Sequence, residues 1–117
     1  MDAEAFFDRL YRRFHVHFPC YALLADDAER FVTEPADDGT AALVLLTDDD
    51  LLRRYRDRRG VVGLPVEIPD PGHLGRLLRA LPADDVTHVT FDPNPRFHRR
   101  FARADLLAVM RAAARKR

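Results

Sequence analysis

Residues 39–60 read GTAALVLLTDDDLLRRYRDRRG, and this stretch decides the fold. Gly39 closes a turn, where its missing Cβ permits a positive φ. The six apolar residues 41–46 form an unbroken run, the pattern of a buried central strand rather than one with a wet face. Thr47 then offers a hydroxyl as N-cap. Asp48, Asp49 and Asp50 place negative charge at the positive end of a helix, and Asp50 is placed for a short capping box. Leu51, Leu52 and Tyr55 point inward. The spacings Asp49–Arg53, Asp50–Arg54 and Arg53–Asp57 allow pairing across one turn. Gly60 ends the helix.

Toward the N-terminus, PADDGT (35–40) is a turn. PCYALLA (19–25) and ERFVTE (29–34) read as two strands, with Asp26-Asp27 as a tight hairpin connection. A first helix over about residues 2–14 follows from Phe6, Leu10 and Phe14 in one row, with Phe7 and Tyr11 beside it. Toward the C-terminus, VVGLPVEI (61–68) is a strand that Gly63 and Pro65 force to an edge or a bulge. DPGHLGRLLRALP is a helix from about Pro71 to just before Pro82, with Leu74, Leu77, Leu78 and Leu81 on one stripe. DVTHVTF (85–91) alternates as a strand: Thr87, Val89 and Phe91 face one way, Val86, His88 and Thr90 the other. DPNP ends it, and RADLLAVMRAAAR is a last helix burying Leu106, Leu107 and Met110, with a frayed basic end over about 114–117. The expected fold class is α+β (mixed α/β). A single mixed sheet of about five strands carries three to four helices, in the order αβββ-α-β-α-β-α, all within one domain spanning residues 1–117.

Composition narrows the chemistry. The 117 residues are 47% hydrophobic, enough for a core without staples. Cys20 is the only cysteine, so neither an internal disulfide nor a cysteine zinc cluster is possible. There is no Ser, which removes every serine nucleophile. The acidic start MDAEAFFDRL is unlike a signal peptide, and no apolar run approaches the ~20 residues that span a bilayer. These features point to a cytoplasmic location and no membrane.

Eighteen of the nineteen basic residues are Arg, as a GC-rich genome favours. Net charge is zero, yet residues 1–50 carry twelve acidic and four basic side chains and residues 51–117 carry seven and fifteen. Such a split can make a dipolar surface that pairs with a partner or a second copy, or can vanish if the fold interleaves the halves.

No stretch carries a recognisable catalytic or cofactor signature. The aspartates at 48–50 diverge at a helix start and read as dipole compensation, not as a metal site. His15 and His17 share a face if extended but lack a third ligand. Cys20 sits in an apolar strand with nothing nearby to lower its pKa. GVVG and PGHLG do not match phosphate-binding loops. No cofactor and no metal is expected, and an enzyme would need His88 or His98 brought to a carboxylate such as Asp92.

One segment remains. In TFDPNPRFHRRFAR (90–103), Arg96, His98, Arg99, Arg100 and Arg103 interleave with Phe97 and Phe101. Arginines can contact phosphate or acidic protein surface, and phenylalanine can stack on unpaired bases. The same pattern also suits an exposed connection anchored by its two aromatics. Arg53 and Arg56, with Arg54, Arg58 and Arg59, extend the basic surface along the second helix. The candidate partner-binding residues are therefore Arg96, His98, Arg99, Arg100, Arg103, Arg53 and Arg56. A neutral overall charge disfavours nucleic acid, which usually selects basic domains.

DDGTAALVLLTDDDLLRRY resembles the D-G-x-x-h-x-x-h-F-T-s-x-x-x-L pattern (h, hydrophobic) of the SseB-like domain family. VTHVTFDPNP followed by FARADLLAVM resembles that family's later strand, N-P turn and closing helix. YALLADDAERFVTEP fits its opening strand pair. The resemblance covers about residues 20–112, with Leu46 where Phe is usual and Pro95 where Gly often follows. It implies a small bacterial α/β module with no catalytic residues to carry over, associated with protein interaction. It also gives the DPNP turn a structural role, that of stopping a strand. The expected function is a non-catalytic protein-interaction module of a bacterial cytoplasmic protein, binding another protein or a second copy of itself. A nucleic-acid-binding domain using residues 96–103 and an acidic inhibitor or immunity-type protein are the alternatives.

Overall fold

The computed structural model describes residues 5, 8, 18–25, 30–35, 39–61, 63–81, 86–93 and 99–115. Among the described residues six strands and three helices are delineated: β1 (Cys20–Leu24), β2 (Thr33–Pro35), β3 (Ala41–Leu45), α1 (Asp49–Arg59), β4 (Leu64–Ile68), α2 (Pro71–Ala80), β5 (Val86–Phe91), β6 (Arg99–Ala102) and α3 (Arg103–Arg115). Ala5 and Asp8 are helical, and the rest of the expected N-terminal helix lies outside the described residues.

The α+β class holds, but the expected single five-stranded sheet does not. The strands form a four-stranded sheet, β2-β3-β5-β6, and a two-stranded one, β1-β4. β3 lies in the middle of the first, antiparallel to β2 and parallel to β5. The two sheets touch where Tyr21 and Leu46 exchange backbone bonds of 2.7 and 2.9 Å, and where Val32 N–H donates to Leu23 C=O at 2.7 Å. The expected hairpin survives as a short arm, in which Leu24 bridges Phe31, Ala25 N–H donates to Arg30 C=O and Val32 N–H donates to Leu23 C=O, both at 2.7 Å. Beyond it the chain leaves β1, and β2 pairs with β3 instead.

The sixth strand, β6, is the other departure. Its residues RRFA pass for an exposed connection because three of the four are polar or small. The deciding pair lies elsewhere in the chain: Phe101 stands beside Val89 in the ladder and meets Phe91 edge-on at 5.9 Å between ring centres. A half-buried aromatic packed on the core face, together with the backbone ladder, supports a short edge strand.

β3 is buried from Ala42 to Leu45, as a central strand must be. Leu43 and Leu45, with Val89 and Phe91 of β5, pack against Leu74 and Leu78 of α2 and Leu106 of α3. Val44 and Leu46 point the other way, onto Leu52 and Tyr55 of α1. β1 divides its side chains the same way: Cys20 and Ala22 join the first cluster, Leu23 the second. The molecule is thus a layer of strands with α1 on one face and α2 and α3 on the other.

β4 is an edge strand, as Gly63 and Pro65 require. Tyr21 and Leu23 turn their backbone groups toward Leu46 and Val32, so Cys20, Ala22 and Leu24 serve β4 through their partners Ile68, Val66 and Leu64. Pro65 and Glu67 then face outward, and Pro65 has no N–H to offer. This blunts the free edge against further strand addition. Gly63 is needed for close approach, because a Cβ there would lie 2.7 Å from the Leu24 carbonyl oxygen. Among the described residues no helix is long and apolar enough to cross a membrane.

Candidate functional site at the carboxyl ends of β3 and β5

Parallel neighbours such as β3 and β5 end side by side, and the crevice beyond their carboxyl ends is where open α/β sheets commonly place ligands. Side chains clasp this pair at both ends. At the amino end the Thr40 and Thr87 hydroxyls bond at 2.6 Å. At the carboxyl end Asp92 accepts two bonds from Thr47, from its N–H at 2.9 Å and from its hydroxyl at 2.7 Å. The Asp92 N–H donates to Leu45 C=O at 2.8 Å. Asp92 has φ 47°, a left-handed conformation that Asp tolerates better than most residues. There the strand stops and the chain turns.

Thr47 is therefore not the helix cap that the sequence suggests. Asp48 is the cap, accepting from Leu51 N–H at 2.8 Å. Gly60, at φ 62°, closes the other end of α1 as expected.

A cavity of about 250 Å³ opens beside this clasp, lined by Leu46, Leu51, Arg54, Arg58, Asp92 and Pro93. Leu46, Leu51 and Pro93 make it apolar. Arg54 and Arg58, one helical turn apart on α1, put two cations on its wall. Arg58 is held in place: its guanidinium donates to Pro93 C=O at 2.6 Å and lies 5.5 Å from the Tyr55 ring centre. Asp92, the acid of the lining, already accepts from Thr47.

Behind the cavity, α1 is anchored to β2. Buried Glu34 accepts from Arg59 at 2.5 Å and from the Tyr55 hydroxyl at 3.2 Å. Burial, and then the Glu34 charge, push the Tyr55 phenol up to about 12. Cys20 is fully buried. Its thiol is likewise pushed up to about 12, by burial first and the Asp92 charge second. Both effects favour the neutral thiol.

The candidate partner-binding residues fare unequally. Arg53 is exposed on α1. Arg56 is half-buried and donates to Gly63 C=O. Arg100 shares the α1 face of the sheet and donates to Pro35 C=O at 3.1 Å. Arg103 is buried and holds two carbonyls, Val86 at 3.0 Å and Leu81 at 2.8 Å, tying the start of α3 to the start of β5. These three guanidiniums act as braces within the fold. Arg99 lies in β6, its side chain outside the described residues, and Arg96 and His98 also lie outside them. His15 and His17 lie outside them too.

None of the expected i,i+4 ion pairs closes on α1 among the described residues, which leaves Arg54 turned to the cavity and solvent. No hydrogen bond joins His88 to Asp92 among the described residues: the His88 ring bonds the Thr87 hydroxyl at 2.8 Å, and Asp92 accepts from Thr47. No group of three His, Cys, Asp or Glu side chains gathers as a metal site would require, among the described residues. The cavity's pairing of Leu46 and Arg54 with Asp92 and Pro93 left no trace in the sequence, because about forty residues separate its two walls. Comparison with known families found no matching family model, and comparison with curated proteins found no match.

Proposed function

We propose that this chain is a non-catalytic protein-interaction module of a bacterial cytoplasm, and that its contact surface is the outer face of α1 together with the adjoining cavity. The observation that carries the reading is the pairing of two arginines, Arg54 and Arg58, with an apolar hollow at the ends of two parallel strands. Protein contact sites combine these features: apolar area for affinity, and arginine for polar anchoring. The SseB-like resemblance supports the same reading, since such domains are small α/β modules associated with protein interaction. Of the sequence-derived candidates Arg53 belongs to this surface, and Arg99 is a second place to test.

The test is affinity capture of the tagged full chain from its native lysate, with and without nuclease. Wild type is compared with Arg54→Glu and Arg99→Glu, each confirmed folded by circular dichroism. A partner that survives nuclease and is lost from Arg54→Glu is the expected result. Retention of the same partner by Arg54→Glu, or dependence on nucleic acid, overturns the assignment of this surface.

A further inference from the structure

We infer that the cavity receives a carboxylate side chain of a partner protein, Asp or Glu, with an apolar neighbour seated against Leu46, Leu51 and Pro93; this rests on the interaction reading above. Three features select that occupant. The volume, about 250 Å³, is below the ~300–1,000 Å³ usual for small-molecule sites. It is large enough for one or two side chains. The cations are guanidiniums, whose forked N–H groups match a carboxylate. Arg58 is pre-positioned by Pro93 C=O and the Tyr55 ring, so little freedom is lost when an acid arrives.

The surroundings argue against a polyphosphate chain. Asp92 lines the cavity, and Asp48, Asp49 and Asp50 stand exposed at the start of the same helix. One carboxylate between Arg54 and Arg58 meets two cations and a single lining acid, Asp92, whose oxygens already accept from Thr47, whereas a run of phosphates tracking along α1 would also meet Asp48, Asp49 and Asp50. An apolar neighbour is required because half of the lining residues are apolar.

The probe is the capped dipeptide acetyl-Glu-Leu-amide, titrated into the ¹⁵N-labelled full chain and followed by amide shifts. Acetyl-Gln-Leu-amide and inorganic phosphate serve as controls. The expected result is saturable shifts at Leu46, Leu51, Arg54, Arg58 and Asp92 with the Glu peptide, and affinity lower by about two- to fivefold or more with the Gln peptide. Arg54→Gln, which alters an exposed side chain, should reduce Glu-peptide affinity by a similar factor without changing the Gln-peptide response. Equal responses to Glu and Gln peptides overturn the inference, as do equal responses to phosphate and the Glu peptide, or shifts away from the cavity. The two readings fail separately. Peptide binding without any captured partner leaves the carboxylate pocket standing and removes the module assignment. A captured partner lost in Arg54→Glu, without peptide selectivity, does the reverse.

Discussion

Asp92 shows how much one residue can determine. It ends β5, adopts a left-handed backbone and, through both carboxylate oxygens, holds Thr47 at the end of β3. Replacing it with Ala removes both bonds, leaves the Thr47 N–H buried without its acceptor and puts a β-carbon residue with no side-chain compensation at positive φ. Asp92→Ala is expected to cost about 3 kcal/mol in urea unfolding. Asp92→Asn keeps an acceptor and tolerates the conformation, so it should cost about half as much. Equal losses would mean that charge, not geometry, makes the clasp. This role was half legible. That DPNP stops a strand follows from its prolines. That its aspartate reaches back 45 residues to Thr47 depends on β3 and β5 being neighbours, which no local pattern states.

At the scale of elements, α1 follows the rules of its own sequence with one displacement. Both Thr47 and Asp48 can cap a helix, and the choice between them is made from outside: Asp92 takes the Thr47 hydroxyl, so Asp48 caps. Asp48→Ala should therefore destabilise the chain by about 1 kcal/mol and speed hydrogen exchange at the Leu51 and Leu52 amides. Thr47→Ala should loosen the β3–β5 end while leaving those amides protected. Fraying of α1 in the Thr47 variant instead would restore Thr47 as the cap. β6 teaches the converse. Four residues with a single large apolar side chain, Phe101, carry too little periodicity to be read as a strand, yet one edge-on contact with Phe91 holds them in the ladder.

At the scale of the whole molecule, the charge split along the chain is not a split across the sheet. β1 and β3, from the acidic half, pair with β4 and β5 of the basic half, so the halves interleave. The core also sets the pH response. The Cys20 thiol rises from 9.0 to about 12 and the Tyr55 phenol from 10.0 to about 12 on folding. Both groups are neutral in the folded state at pH values where the unfolded chain ionises. The stability they confer is complete below pH 9 for Cys20 and below pH 10 for Tyr55, and is lost as pH rises toward 12. Unfolding free energy should fall across this window, and Tyr55→Phe should make the fall shallower; an unchanged slope would show that the phenol does not drive it.

By itself the sequence determined the local elements: the buried run 41–46, the helix that follows it, the proline-started α2, the edge character of β4 and the inert setting of Cys20. Those depend on periodicity, capping and backbone permission, which act within a few residues. The tertiary structure alone decided that β1 pairs with β4 while β2 pairs with β3, that Phe101 draws β6 into the sheet, that Arg56, Arg100 and Arg103 brace carbonyls, and that Arg54 and Arg58 share a hollow with Asp92. Each of these depends on which distant segments become neighbours. That is settled by burying apolar faces together and satisfying every backbone group over the whole chain at once.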